Sequence, residues 1–200
     1  MKTRDLIFII VVIFLFILAV FFMRKDSIII RDKTVVEIDP ERPVIALTFD
    51  DGPNDSYTIK ILDILYENKS TATFFINGMN IDGNEDILRK IVKEGNEIGN
   101  HTYDHADLTQ LKEDEIKKQI NKTQKQVNKV LGDYKLLYVR PPYGRYNEKV
   151  LNAIDFPVSL WTLDSHDWET ENSEDIYKLV VNSAKDLDVI VMHDSSEYTV

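Results

Sequence analysis

Between residues 44 and 192, six short β-rich runs alternate with amphipathic segments, and that order leaves few folds open. The runs are 44–49 (VIALTF), 71–76 (TATFFI), Glu97–Asn100, 136–139, 158–163 and 189–192. Residues 58–68 set Ile61, Leu62 and Leu65 at helical spacing. Asn84 is placed to cap a helix carrying Ile87, Leu88, Ile91 and Val92, which ends near Gly95. Thr109 is placed to cap a long polar helix with the apolar stripe Ile116, Ile120, Val127, Val130 and Leu131, stopped at Gly132. Residues 147–154 and 173–184 read as two more helices. Strand–helix–strand order predicts a mostly parallel sheet covered by helices, open or closed into a barrel. Functional side chains then gather at the C-terminal ends of the strands.

Composition narrows the chemistry. The 200 residues are 44% hydrophobic and 29% charged, enough for a folded core. With no cysteine there is no disulfide, thiolate zinc site, Fe–S cluster or thiol nucleophile. The net charge of −10 argues against nucleic acid, whose binding needs clustered Lys and Arg.

The N-terminus differs from the body. Residues 6–23 (LIFIIVVIFLFILAVFFM) carry no polar side chain and are flanked by Lys2, Arg4, Arg24 and Lys25. As a helix the run spans about 27 Å, close to a hydrocarbon core of about 30 Å. A buried core helix would show a polar stripe, and a cleaved signal peptide a shorter run and a small-x-small site. The expectation is one uncleaved transmembrane helix within an anchor of residues 1–25, then a linker over 26–42 and a domain over 43–200. In the linker, Ile28-Ile29-Ile30 and Val35-Val36 flank Arg31-Asp32-Lys33, a pattern for a small hairpin, and Pro40 and Pro43 then break the chain before the domain.

Each strand end is chemically rich. Asp50-Asp51-Gly52-Pro53 follows the first run; side chains alternate along an extended segment, so one carboxylate can bind a metal while the other faces a substrate. The plainer reading is an Asp-Gly turn. His101 and His105, four apart, can face one way within a helical turn and share a metal. With Asp51 they would make a two-His-one-carboxylate site suited to zinc or another divalent transition metal. Arg140-Pro-Pro-Tyr143-Gly144 follows the fourth run, Asp164-Ser-His-Asp167-Trp168 the fifth and His193-Asp194 the sixth. Taken singly, these read as a rigid turn, a polar loop and a structural histidine.

In order, Thr48-Phe-Asp50-Asp51-Gly-Pro53, His101-Thr-Tyr-Asp-His105, Arg140-Pro-Pro-Tyr143-Gly, Asp164-Ser-His-Asp167-Trp168 and Val191-Met-His193 resemble the five motifs of the polysaccharide deacetylases. These are the NodB-homology domains of carbohydrate esterase family 4, and the resemblance covers roughly residues 43–200. It implies a distorted (β/α) barrel. It implies that Asp51, His101 and His105 hold one divalent metal, commonly zinc, with cobalt, nickel or manganese as alternatives. It casts Asp50 as general base, oriented by Arg140, and His193 as general acid, tuned by Asp167. The Tyr143 N–H would stabilise the oxyanion, and Trp168 and Val191 would wall the acetyl pocket. Val191 stands where the family usually has Leu.

The resemblance also implies a helix and a strand after His193, where this sequence reaches Val200. The expectation is a barrel short of its closing elements, with apolar surface exposed on 189–192. The implied activity is metal-dependent N-deacetylation of a cell-wall glycan, N-acetylglucosamine of peptidoglycan first, by a single-pass membrane protein whose catalytic domain lies outside the cytoplasm. A chitooligosaccharide or O-acetyl-xylan deacetylase, and an inactive glycan-binding relative, are the alternatives. The oligomeric state is left open.

Overall fold

The computed structural model describes residues 43–200, together with the paired segments Ile30–Arg31 and Thr34–Val35. The expected transmembrane segment, 6–23, lies outside the described residues. Among those described, no helix is long and apolar enough to cross a membrane. Two compact units divide at Arg42 and Pro43. In the first, β1 (Ile30–Arg31) pairs antiparallel with β2 (Thr34–Val35), the small hairpin that the linker pattern suggests.

The second unit alternates strand and helix. It runs β3 (Ala46–Asp50), α1 (Thr58–Glu67), β4 (Thr73–Ile76), α2 (Glu85–Lys93), β5 (Glu97–Asn100) and α3 (Glu113–Leu131). It continues with α4 (Glu148–Ala153), β6 (Leu163–Asp164), α5 (Ser173–Ser183) and β7 (Val189–His193). The five strands form one parallel sheet in the order β5-β4-β3-β7-β6. Its apolar faces are covered as the helical spacing requires: Ile61, Leu62 and Leu65 of α1, and Ile87, Leu88 and Ile91 of α2, pack with Phe49, Phe74, Ile76 and Ile98. A second cluster joins Ile116 and Ile120 of α3 to Val139, Val150 and Ala153.

One expected strand shrinks to a single bridge, and another keeps only a bridge at its start and the short β6 at its end. Val139 bridges Asn100 on one side and Val158 on the other, in place of ladders over 136–139 and 158–163. Pro141 and Pro142 follow the first and Pro157 precedes the second, so neither run has the neighbours to extend a ladder. The run from 158 onward nevertheless closes the structure. It meets Val139 at its start, and at its end β6 pairs with β7, with the Thr162 N–H donating to the Val189 carbonyl at 2.9 Å. Strand β7 therefore has β3 on one side and β6 on the other, and Ile190 and Val191 are buried. This corrects the expected exposure over 189–192. The exposed large apolar side chains toward the C-terminus are instead Tyr177, Val181, Leu187 and Val200.

Helix starts also differ from expectation. The α3 N-cap is Lys112, whose N–H donates to Glu115, while Thr109 sits in a preceding 3-10 turn capped by Asp107. Asn84 does stand before α2, but its amide donates to the Asn80 carbonyl instead of capping.

Candidate active site

The parallel register sets the site. Asp50, the last residue of β3, is the direct partner of His193, the last residue of β7. Two residues 143 positions apart thus stand side by side at one mouth. Asn100, ending β5, and Arg140, just beyond the Val139 bridge, reach the same level.

Asp50 and Asp51 both face this mouth, for a different reason than alternation. Asp51 leaves the extended conformation with φ 82°, a left-handed geometry unusual for a non-glycine residue and frequent at functional sites. That turn brings its Oδ1 within 3.6 Å of His101 Nε2 and 3.4 Å of His105 Nε2. Nor do the histidines share a helical turn. Residues 101–105 form a loop whose Thr102 and His105 have φ 71° and 59°, and the two rings lie 5.0 Å apart.

The three donor atoms fit a divalent ion. Tetrahedral ligands at about 2.0–2.1 Å from zinc lie about 3.4 Å from one another, close to the separations found. All three lie within 4.8 Å of one another. His101 Nδ1 sits 2.8 Å from the Arg140 carbonyl; donating its proton there leaves Nε2 as the metal-facing acceptor, a common arrangement for a ligating histidine. Burial lowers the His105 pKa from its usual 6.5, outweighing the opposing charge of Asp51, and so favours the neutral form that can ligate.

Arg140 is fully buried beneath the mouth. Its Nη1 donates to Asp50 Oδ1 at 2.7 Å and to Thr48 Oγ1 at 2.8 Å, and Nη2 donates to the Leu160 carbonyl at 3.1 Å. The guanidinium lies over Phe75, 4.0 Å from the ring centre. Burial lowers its pKa, and the Asp50 charge works against that loss.

Asp167 grips His193 with both oxygens. Oδ1 lies 2.7 Å from His193 Nδ1, and Oδ2 accepts the His193 backbone N–H at 2.6 Å. Thr199 Oγ1 also donates to Oδ2. Burial alone would lower the imidazole pKa, but the hydrogen bond and charge of Asp167 prevail and hold it at about 9. The Asp167 pKa is correspondingly lowered: burial pushes it up, and the bond to His193 overcomes that. Because the folded value lies above the usual 6.5, the charged imidazole facing ionised Asp167 adds stability that is complete below pH 6.5 and is lost as pH rises through about 9; Asp167, whose pKa is lowered, loses its share only on protonation in acid. In the metal-free protein one histidine should titrate near 9 by NMR, and Asp167→Asn should bring that resonance to 6.5 or below. An unmoved titration would detach Asp167 from His193.

The cleft above these groups holds about 820 Å³. Tyr143, Trp168 and Val191 line it. Tyr143 has φ 61°, and its ring meets His105 edge-on at 4.7 Å. Trp168 is 61% exposed, a wall open to solvent. Sequence reasoning missed Trp161, which also lines the cleft and closes on Gly144, so that only glycine fits there. It missed Tyr57 and the segment 195–198 on the rim as well. None of these lies in a polar motif, so the chain offered no local signal for them.

Comparison with known proteins decides the family. A family model described as polysaccharide deacetylase matches residues 37–156. The chain belongs to the polysaccharide deacetylase family. The matched span carries Asp50, Asp51, His101, His105, Arg140 and Tyr143. Asp167 and His193 lie beyond it and join the site through the fold. The chain is 44% identical over 157 residues to peptidoglycan-N-acetylmuramic acid deacetylase PdaC of Bacillus subtilis, covering 78% of this chain and 33% of the relative. It is 39% identical over 155 residues to peptidoglycan-N-acetylglucosamine deacetylase PgdA of Listeria monocytogenes, again covering 78% and 33%. It thus spans about a third of the length of these relatives. The solved PdaC structure superposes with a TM-score of 0.78 at 43% identity, covering 80% of this chain and 79% of that one.

Proposed function

We propose that this polysaccharide deacetylase domain hydrolyses N-acetyl groups of a cell-wall glycan with the help of one divalent metal, releasing acetate and leaving a free amine. The observation that carries this reading is the pairing of Asp50 with His193 at adjacent strand ends, beside the Asp51–His101–His105 triad. One group is an acid salt-bridged to a buried arginine, the other an imidazole whose pKa is held at about 9, which is the division of labour that amide hydrolysis requires.

A divalent ion held by Asp51, His101 and His105, zinc being the best match to the donors, would supply Lewis acidity to the amide carbonyl and an acidified water. Asp50 accepts the proton of the attacking water, and Arg140, donating to its Oδ1 at 2.7 Å, keeps that carboxylate aimed. The Tyr143 N–H stabilises the developing oxyanion, an interaction of the kind worth about 10²–10³ in rate. His193 delivers a proton from Nε2 to the departing nitrogen, because Asp167 occupies its Nδ1. Trp168 and Val191 shape the space for the acetyl methyl.

Peptidoglycan is the glycan class that the names of both relatives support, and N-acetylglucosamine is the sugar we favour. Acetate release should be measured on peptidoglycan and on N-acetylglucosamine oligomers, with zinc and after chelation. Release from both, lost on chelation and regained with zinc, is expected. Release from muramic acid residues alone would move the assignment to the sugar named for PdaC. Double replacement of His101 and His105 by Ala should abolish metal retention together with activity; stoichiometric zinc in that protein would put the metal elsewhere.

The apolar run 6–23 supports a further part of the proposal, that the domain works outside the cytoplasm on a single membrane anchor. Protease added to intact cells should then cut the body and spare the N-terminus. A protected body would refute the topology.

A further inference from the structure

Asp194 is the one buried acid among the described residues that the proposed reaction leaves unused. It follows His193 directly, yet its side chain points away from the cleft, behind the Asp51-Gly52-Pro53 loop. Its Oδ2 accepts from Thr58 Oγ1 at 2.6 Å, at the start of α1. The same Thr58 oxygen accepts the Asn54 N–H at 2.9 Å. The backbone of Asp194 is tied to the loop as well: its N–H donates to the Asp50 carbonyl at 3.2 Å, and its carbonyl accepts from the Asn54 amide. A Cβ at Gly52 would collide with the carboxylate, so glycine is needed there because Asp194 fills the space. On the opposite side, Asn80 Nδ2 donates to the Asp51 carbonyl at 2.7 Å and the Asn77 N–H donates to the Gly52 carbonyl at 2.9 Å. The loop is therefore held between two walls, and Asp194 is one of them.

We infer that Asp194 is a positioning residue: a buried strut between the strand that carries His193 and the loop that carries Asp50 and Asp51, setting the separation of acid, base and metal ligand. Left-handed Asp51 has no local reason to keep its conformation, and contacts on both flanks of the loop supply one. The inference rests on the proposed reaction for its catalytic meaning, but its first readout, zinc affinity, does not.

The test uses the full chain and zinc itself, with affinity measured by competition against a chromophoric chelator. Asp194→Ala should weaken zinc binding by about 10–100-fold, the usual cost of losing a group that orients a ligand. The kcat should fall with it while KM for an N-acetylglucosamine oligomer stays unchanged, a split that general loosening of the fold would not give. Gly52→Ala, which displaces the carboxylate, should reproduce this. The double variant should be no worse than the worse single one, since both changes act through one contact. A folded Asp194→Ala protein with parental zinc affinity would overturn the inference, as would additive losses in the double variant. If Asp194→Ala does not fold, Thr58→Val decides: removing the hydroxyl donor should weaken zinc several-fold, and an unchanged affinity would overturn the strut. Zinc binding that responds as expected in a chain that never releases acetate would leave the strut standing and defeat the reaction.

Discussion

Loaded with zinc, an Asp50→Asn protein should hold the ion as the parent does and, on the proposed reaction, release acetate about 10²–10⁴-fold more slowly. The change is nearly isosteric, and the Asn carbonyl can still accept from Arg140 Nη1, which lies 2.7 Å from Asp50 Oδ1. Asp51, His101 and His105 are untouched, so metal content should not move. What is lost is the ability to take a proton from the attacking water. Steady-state acetate release and zinc content, measured on the same sample, separate the two effects. A rate within a few-fold of the parent would remove Asp50 from the role of base.

The second large effect is on stability. Replacing Arg140 by Met should destabilise the metal-free domain by about 3–5 kcal/mol, because it leaves the Asp50 charge buried without its partner. Thr48 and the Ser159 and Leu160 carbonyls lose donors at the same stroke. Adding Asp50→Asn should recover part of the loss, since the stranded charge is then gone. Denaturant unfolding of the parent, both single variants and the double variant gives the coupling directly. An Arg140→Met protein within 1 kcal/mol of the parent would mean that the carboxylate finds another partner.

The fold class and most of the site could be read from the chain before any coordinates. The helical stripes of α1, α2 and α3 bury most of the residues that their periodicity marks, with Val92, Val130 and Leu131 partly buried against the same core, and each polar motif follows a strand or, at Arg140, a bridge. For two motifs the structure brings the residues together by a route other than the one their spacing suggests. Asp50 and Asp51 share a mouth, and His101 and His105 approach each other, through left-handed residues at Asp51, Thr102 and His105. Backbone of that kind is imposed by contacts distant in sequence, so no local spacing rule predicts it. The bridges at Val139 and Val158 were over-read as strands for a related reason. A short apolar run shows that a segment is buried, whereas ladder length depends on its neighbours. The grip of Thr199 on Asp167 and the position of Trp161 carry no sequence mark, because both arise from closure of the sheet.

That closure has a consequence for how the chain must be made. Strand β3 is the first strand of the sheet in sequence and β7 the last, yet the two are hydrogen-bonded neighbours from Ala46↔Val189 to Asp50↔His193. A nascent chain emerging N-terminus first holds β3 with one flank unpaired until β7 has been delivered. Sheets whose pairings join distant residues fold slowly, and their unpaired edges invite association with other chains. Pairing of β3 with β7, not the intrinsic speed of any helix or single strand, should therefore limit when the site forms. Built from the first and last strands of the sheet, it is assembled only when β7 joins.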